Sequence, residues 1–205
     1  MTDTINKLAV CGTLKDGCLT GIKNICPILV NVLFWFLTFW IPYINVGTTI
    51  GFSVGIVSKL SRGEAISMFE IFNPQYRKNM GEYFLTYGLV CLGAAFACIF
   101  FLVPGIIIGI AWSLSVLLAI DKGKSPMEAI SLSNKLTYGN KWRIFGIYIG
   151  PMILYFILVT LITVYLSPVN MVLGLILTFI VAMIFIMIMY GILSNIYKQL
   201  AQNVN

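Results

Sequence analysis

The chain has 205 residues, 60% of them hydrophobic and 10% charged, with a mean hydropathy of +0.97. That composition lies outside the range of soluble globular domains and reads as a polytopic membrane protein. Thirteen Lys and Arg against seven Asp and Glu leave a formal charge of +6; in so apolar a chain this points to an anionic membrane surface and away from nucleic acid.

Charge and apolarity alternate along the sequence. Residues 1 to 24 are mixed, polar and Gly-containing, unlike the basic start and apolar core of a signal peptide, so the first membrane hairpin is expected to serve as its own insertion signal. An uncharged block then runs from Cys26 to Ser58, a second from Tyr83 to Ile120 and a third from Ile144 to Tyr197. A helix rises about 1.5 Å per residue and bilayer hydrocarbon is about 30 Å thick, so one crossing takes roughly 20 residues. Each block is too long for one crossing and suits two. Each also has a proline near its middle, Pro42, Pro104 and Pro168, where the chain is expected to turn outside the membrane. The expected fold is all-α: six transmembrane helices as three tandem helical hairpins, joined by short cytoplasmic interfacial helices, in a single integral membrane domain. Both termini and every Lys and Arg then share one side, which the positive-inside rule makes cytoplasmic.

The blocks resemble one another. The prolines fall 62 and 64 residues apart, and Glu64-Ala65-Ile66-Ser67 returns as Glu128-Ala129-Ile130-Ser131. After each proline comes a stripe of small residues spaced by four: Gly47, Gly51 and Gly55; Gly109 and Ser113; Gly174, Thr178 and Ala182. In lipid, such stripes let helix backbones approach closely, so they are expected to be helix-packing surfaces. Three pseudo-repeat units, about 5–60, 62–121 and 124–197, follow from this reading.

The polar island Gly123 to Trp142 has its own punctuation. Ser125, Pro126 and Glu128 form an N-terminal capping box with proline at the first helical position, and Gly139 supplies a stop. Ala129, Leu132 and Leu136 make an apolar stripe, so the island reads as a helix lying on the membrane surface. Its counterpart, Gly63 to Phe72, is expected to do the same before Asn73-Pro74. Lys122, Lys124, Lys135, Lys141 and Arg143, with Tyr138 and Trp142 at headgroup level, are candidate contacts for anionic lipid headgroups.

The run from Val103 to Gly146 resembles a family signature. Its carriers are the turn Pro104-Gly105-Ile106, Asp121 closing the next helix, Ala129, Ile130 and Ser133, and Gly139, Trp142 and Phe145 at the start of the fifth membrane helix. It is similar to the six-helix bacterial and archaeal membrane proteins that include the YciC-like proteins and the membrane domain preceding some glycerophosphodiester phosphodiesterases. The resemblance implies an integral fold in the cytoplasmic (inner) membrane of a prokaryote and brings no catalytic residues with it.

Residue chemistry narrows function further. The chain has no histidine, and no carboxylate falls inside the three uncharged blocks, whereas ion-coupled transport and intramembrane metal chemistry usually need such groups. No cofactor or metal site is expected, and the five cysteines, which follow no metal or disulfide spacing, read as free thiols. Asp121 has two readings: a cation or headgroup ligand with Glu82 and Glu128, or a helix end beside Lys122 and Lys124. The favoured function is non-enzymatic, organising lipids or supporting a partner membrane complex or homo-oligomer through a basic cytoplasmic face. The alternative is a channel or carrier for a small neutral or apolar solute.

Overall fold

A computed structural model describes residues 7–166 and 168–201; the turn residue Ser167 lies outside them. The described residues are overwhelmingly helical and contain no strand. Helix α1 (Val10–Lys23) meets α2 (Ile25–Thr38) at a 71° bend. The pivot is Asn24, whose side-chain amide donates to the carbonyl of Thr20 at 2.9 Å. Helix α3 (Pro42–Ile50), with proline in its first turn, passes through a π turn (Gly51–Gly55) into α4 (Ile56–Arg62). Gly63, at φ 71°, adopts the left-handed conformation that ends α4.

A short 3₁₀ turn (Glu70–Phe72) and α5 (Gln75–Lys78) lead into α6 (Met80–Phe100). Extended backbone at Phe101 separates α6 from α7 (Leu102–Ala111), and residues 112–114 interrupt the helix before α8 (Ser115–Asp121). Helix α9 (Pro126–Thr137), α10 (Lys141–Leu161), a π turn (Ile162–Leu166) and α11 (Met171–Ala201) complete the chain.

Among the described residues, four helical segments are long and apolar enough to cross a membrane: Met80–Phe100, Leu102–Asp121, Lys141–Leu166 and Met171–Ala201. A fifth is reached if α1 and α2 are one broken span. The segment Pro42–Arg62, expected from the sequence as a crossing, is not among them. Its threonines, serines and glycines lower its hydropathy, and protein clothes it: Thr48, Ile50, Val54, Ile56, Val57, Ser58 and Leu60 are all buried. By contrast α6 and α10 expose most of their apolar side chains, as helices facing lipid do.

The small-residue stripes are used unevenly. A Cβ on Gly51 would lie 2.8 Å from Cα of Ile71, and one on Gly55 would lie 2.2 Å from the Tyr76 hydroxyl. This stripe therefore seats the polar 70–78 segment and not a second membrane helix. Gly47 is likewise closed off by Arg77. A Cβ on Gly109 would meet nothing within 4 Å, so the close approach expected there is absent. Ser113 instead turns its hydroxyl back to the carbonyl of Ile110, and Thr178 does the same to Gly174, which is buried; Ala182 is half-buried.

Outside these stripes, α1 and α11 pack backbone against backbone. On α1, Thr13, Gly17 and Gly21 are buried while Lys15, Asp16 and Lys23 are exposed. A Cβ on Gly191 of α11 would sit 2.0 Å from the carbonyl oxygen of Gly17, and one on Gly21 would sit 2.4 Å from that of Met187. Gln199 closes the same contact with a 3.1 Å hydrogen bond to Thr13. Gly191→Ala is expected to lower stability in mild detergent by about 2 kcal/mol, read as a lower melting temperature. Gly109→Ala is expected to change it by less than about 1 kcal/mol. Equal shifts from the two would contradict this packing.

Candidate functional site

The C-terminal turn of α4 carries Ser58, Lys59 and Arg62, and their side chains enter two linked polar networks. Glu70 is buried, with 3% of its side chain exposed, and accepts from Lys59 Nζ and from the Tyr76 hydroxyl, each at 2.7 Å. Asp121 accepts from the Ser58 hydroxyl, from Arg62 Nη1 at 2.6 Å and from the Tyr197 hydroxyl at 2.8 Å. Arg62 also donates through Nε to Glu64 at 2.7 Å. Burial, followed by the hydrogen bond to and charge of Glu70, pushes the Tyr76 phenol above its ordinary value.

Two cavities flank the Arg62–Asp121 pair, which borders both. One, of about 310 Å³, opens toward Lys122, Tyr197 and Lys198; the other, of about 250 Å³, opens toward Asn73, Gln75 and Asn79. Both carboxylates, the buried Glu70 and the half-buried Asp121, are engaged by donors from the protein itself. The networks therefore join α4, the 3₁₀ turn, α5, α8 and α11, and this is the chemistry the arrangement provides. Asp121 is the last residue of α8, as the helix-end reading has it, and the donors to its carboxylate come from α4 and α11. Arg62, which sequence reading did not select, and Tyr197, which it placed only in an interfacial aromatic belt, both donate to Asp121. Tyr197 closes the third uncharged block, while nothing local marks Arg62 as the partner of a residue 59 positions away.

The polar island forms a helix capped as its sequence predicts. Ser125 and Glu128 make the reciprocal capping box, and Gly139 at φ 78° follows the helix end. The buried stripe, however, is Ala129, Ser133 and Thr137, with Leu132 and Leu136 half-buried beside it. Ser133 donates to the carbonyl of Ala111 at 2.7 Å and accepts from the Leu114 amide at 3.2 Å, so it bridges the interruption between α7 and α8. Thr137 lies within 3.2 Å of the same carbonyl. The first copy of the tetrapeptide, Glu64 to Ser67, is not helical. Gly63 ends α4 there, and Asn31 of α2 bonds Ser67 O at 2.9 Å and the Ile71 amide at 3.1 Å, holding the segment as a turn.

The expected headgroup residues divide into two groups. Lys122 lines the larger cavity, and Lys124 follows in the loop. Lys135, Tyr138, Lys141, Trp142 and Arg143 gather where α9 turns into α10. Arg143 donates to Leu8 O at 2.9 Å, and Asn140 accepts from the Leu8 amide at 3.0 Å, tying the chain before α1 to this corner. Lys141 donates to the Asn134 side-chain carbonyl at 3.1 Å. These partners are neutral, and among the described residues no ion pair engages Lys135, Lys141 or Arg143. The sequence has no Asp or Glu after Glu128. Tyr138 and Trp142 are 66% and 75% exposed.

No family model, no curated protein and no solved structure matches this chain.

Removing Glu70 leaves Lys59 and the Tyr76 hydroxyl without their shared acceptor. Glu70→Ala is expected to cost on the order of 3 kcal/mol in thermal or denaturant unfolding, whereas Glu64→Ala, at a half-exposed pair, should cost less than about 1 kcal/mol. Because Tyr76 is held protonated in the folded state, its contribution to stability is present below the ordinary tyrosine value of 10.0 and is lost as pH rises through it toward the folded-state value. Tyr76→Phe is accordingly expected to flatten the decline in stability as pH rises above 10.0. An unchanged slope would remove Tyr76 from the alkaline response.

Proposed function

We propose that this is a non-enzymatic multi-pass membrane protein that organises anionic lipids through the basic corner between α9 and α10. The observation that carries the reading is the surplus of cations there, Lys135, Lys141 and Arg143, the latter two bonded to neutral protein groups, with exposed Tyr138 and Trp142 beside them. A cation near an anionic leaflet gains about 1 kcal/mol, while interfacial Trp and Tyr favour the headgroup layer. In the finer form of this proposal, Pro42–Arg62 completes six membrane segments as three hairpins, with both termini on the cytoplasmic face. The family resemblance carried by Pro104, Gly105, Asp121, Trp142 and Phe145 supports placing the protein in a prokaryotic inner membrane. Within that arrangement Pro42–Arg62 crosses surrounded by protein, which explains how a segment rich in threonine and glycine is accommodated.

Native mass spectrometry of protein extracted in mild detergent, identifying retained lipids and proteins together, tests the reading. Retention of anionic over zwitterionic phospholipid is expected. The double variant Lys135→Gln/Lys141→Gln should weaken that preference by about 30-fold, two contributions of about 1 kcal/mol each. A preference unchanged by the double substitution, or absent from the parent protein, would count decisively against it.

A further inference from the structure

We infer that a slot between α7 and the first turn of α10 holds one acyl chain of an anionic phospholipid, with the lipid phosphate on Lys141. This rests on the lipid-binding reading above and gives it a site. Val103, Ile106, Ile107 and Ile110 recur at three- and four-residue spacing, so they share one face of α7. That face is turned from α6, which meets α7 at Gly105, where a Cβ would collide with Cys98 Sγ.

Opposite the face stands Phe145, and Lys141 and Trp142 border the slot, whose volume is about 230 Å³. The walls are hydrocarbon and aromatic; Lys141 brings the one charge among the lining residues. Both bounding helices belong to segments long and apolar enough to cross a membrane, so in the membrane arrangement proposed above the slot faces lipid. Val103 is 58% exposed and Ile106 and Ile107 are each 37% exposed, so the apolar face is accessible.

The charge selects the occupant. The Lys141 ammonium has three donors, of which the Asn134 side chain takes one. The remaining donors and the uncompensated charge suit a phosphate oxygen. Trp142, packed edge-on against Phe145 with ring centroids 6.2 Å apart, stands where the chain meets its headgroup. A free phosphate would use Lys141 alone and leave the apolar walls bare, so the slot commits to a lipid.

The test uses the full-length protein in nanodiscs of phosphatidylglycerol and phosphatidylcholine, followed by native mass spectrometry of the lipid that stays bound after transfer to mild detergent. One phosphatidylglycerol is expected to persist. Ile106→Trp, which fills the slot, and Lys141→Gln should each lower its retention about fivefold, a change of about 1 kcal/mol. Val103→Trp, at a more exposed position, provides the same blockade should Ile106→Trp fail to fold. Millimolar glycerol phosphate should not displace the lipid.

Retention untouched by both tryptophan variants would overturn the slot. If Lys135→Gln/Lys141→Gln still abolished the anionic preference in that case, the slot alone would fall and the basic corner would stand. Displacement by glycerol phosphate as effective as by short-chain phosphatidylglycerol would also overturn it, since the acyl chain would then contribute nothing. Absence of any preference for phosphatidylglycerol in the parent protein would bring down both proposals.

Discussion

A carboxylate withdrawn from water has to be met by donors, and in this protein two such groups organise one end of the bundle. Glu70 and Asp121 lie on different segments, yet both are served from one turn of α4, through Lys59 and through Ser58 and Arg62. Because the partners are spread over α4, the 3₁₀ turn, α5, α8 and α11, satisfying the charges fixes how these elements sit against each other. The glycines of the adjoining π turn serve the same end. Without side chains at Gly51 and Gly55, Tyr76 comes close enough to reach Glu70. The stripe that resembles a membrane-helix packing motif is thus occupied by a polar segment.

The helix interruption at residues 112–114 raises a second demand of the same kind, since it frees backbone groups that lipid cannot satisfy. Ser133 and Thr137 meet it by bonding the Ala111 carbonyl and the Leu114 amide. This explains why the buried side of α9 is small and hydroxylated. It also ties the polar island to the middle of Leu102–Asp121 and leaves the island's cations, Lys135 and Lys141, facing outward with Tyr138 and Trp142. The residues proposed as headgroup contacts therefore lie away from the side of α9 that braces the interruption.

Repeated sequence gives different structure here because neighbours differ. Glu128-Ala129-Ile130-Ser131 follows Ser125-Pro126, a cap that starts a helix. Glu64-Ala65-Ile66-Ser67 follows Gly63, which stops one, and Asn31 then captures its backbone from another helix. The helical reading of the first copy failed because the capture comes from 36 residues away. Likewise, the Gly17–Gly21 pair had a legible small-xxx-small spacing, but its charged neighbours Lys15, Asp16 and Lys23 hid it within a segment read as merely polar. Its match at Gly191 depends on α11 running back beside α1.

Composition, block length and the positions of charge determined by themselves that this chain is helical and built of apolar segments long enough for a membrane, because hydrocarbon thickness and backbone satisfaction leave few alternatives. Local chemistry likewise determined the α9 cap at Ser125 and Glu128 and its end before Gly139, which depend on residues within one helix. Tertiary structure alone decided which glycines lie at close contacts, which partners Asp121 takes, and that Pro42–Arg62 is sheathed by protein. Those outcomes depend on groups brought together from distant parts of the chain: Ser58 and Arg62 with Asp121 and Tyr197, and Gly17 with Gly191. A periodicity shows that a face exists; what covers it is settled by the rest of the fold.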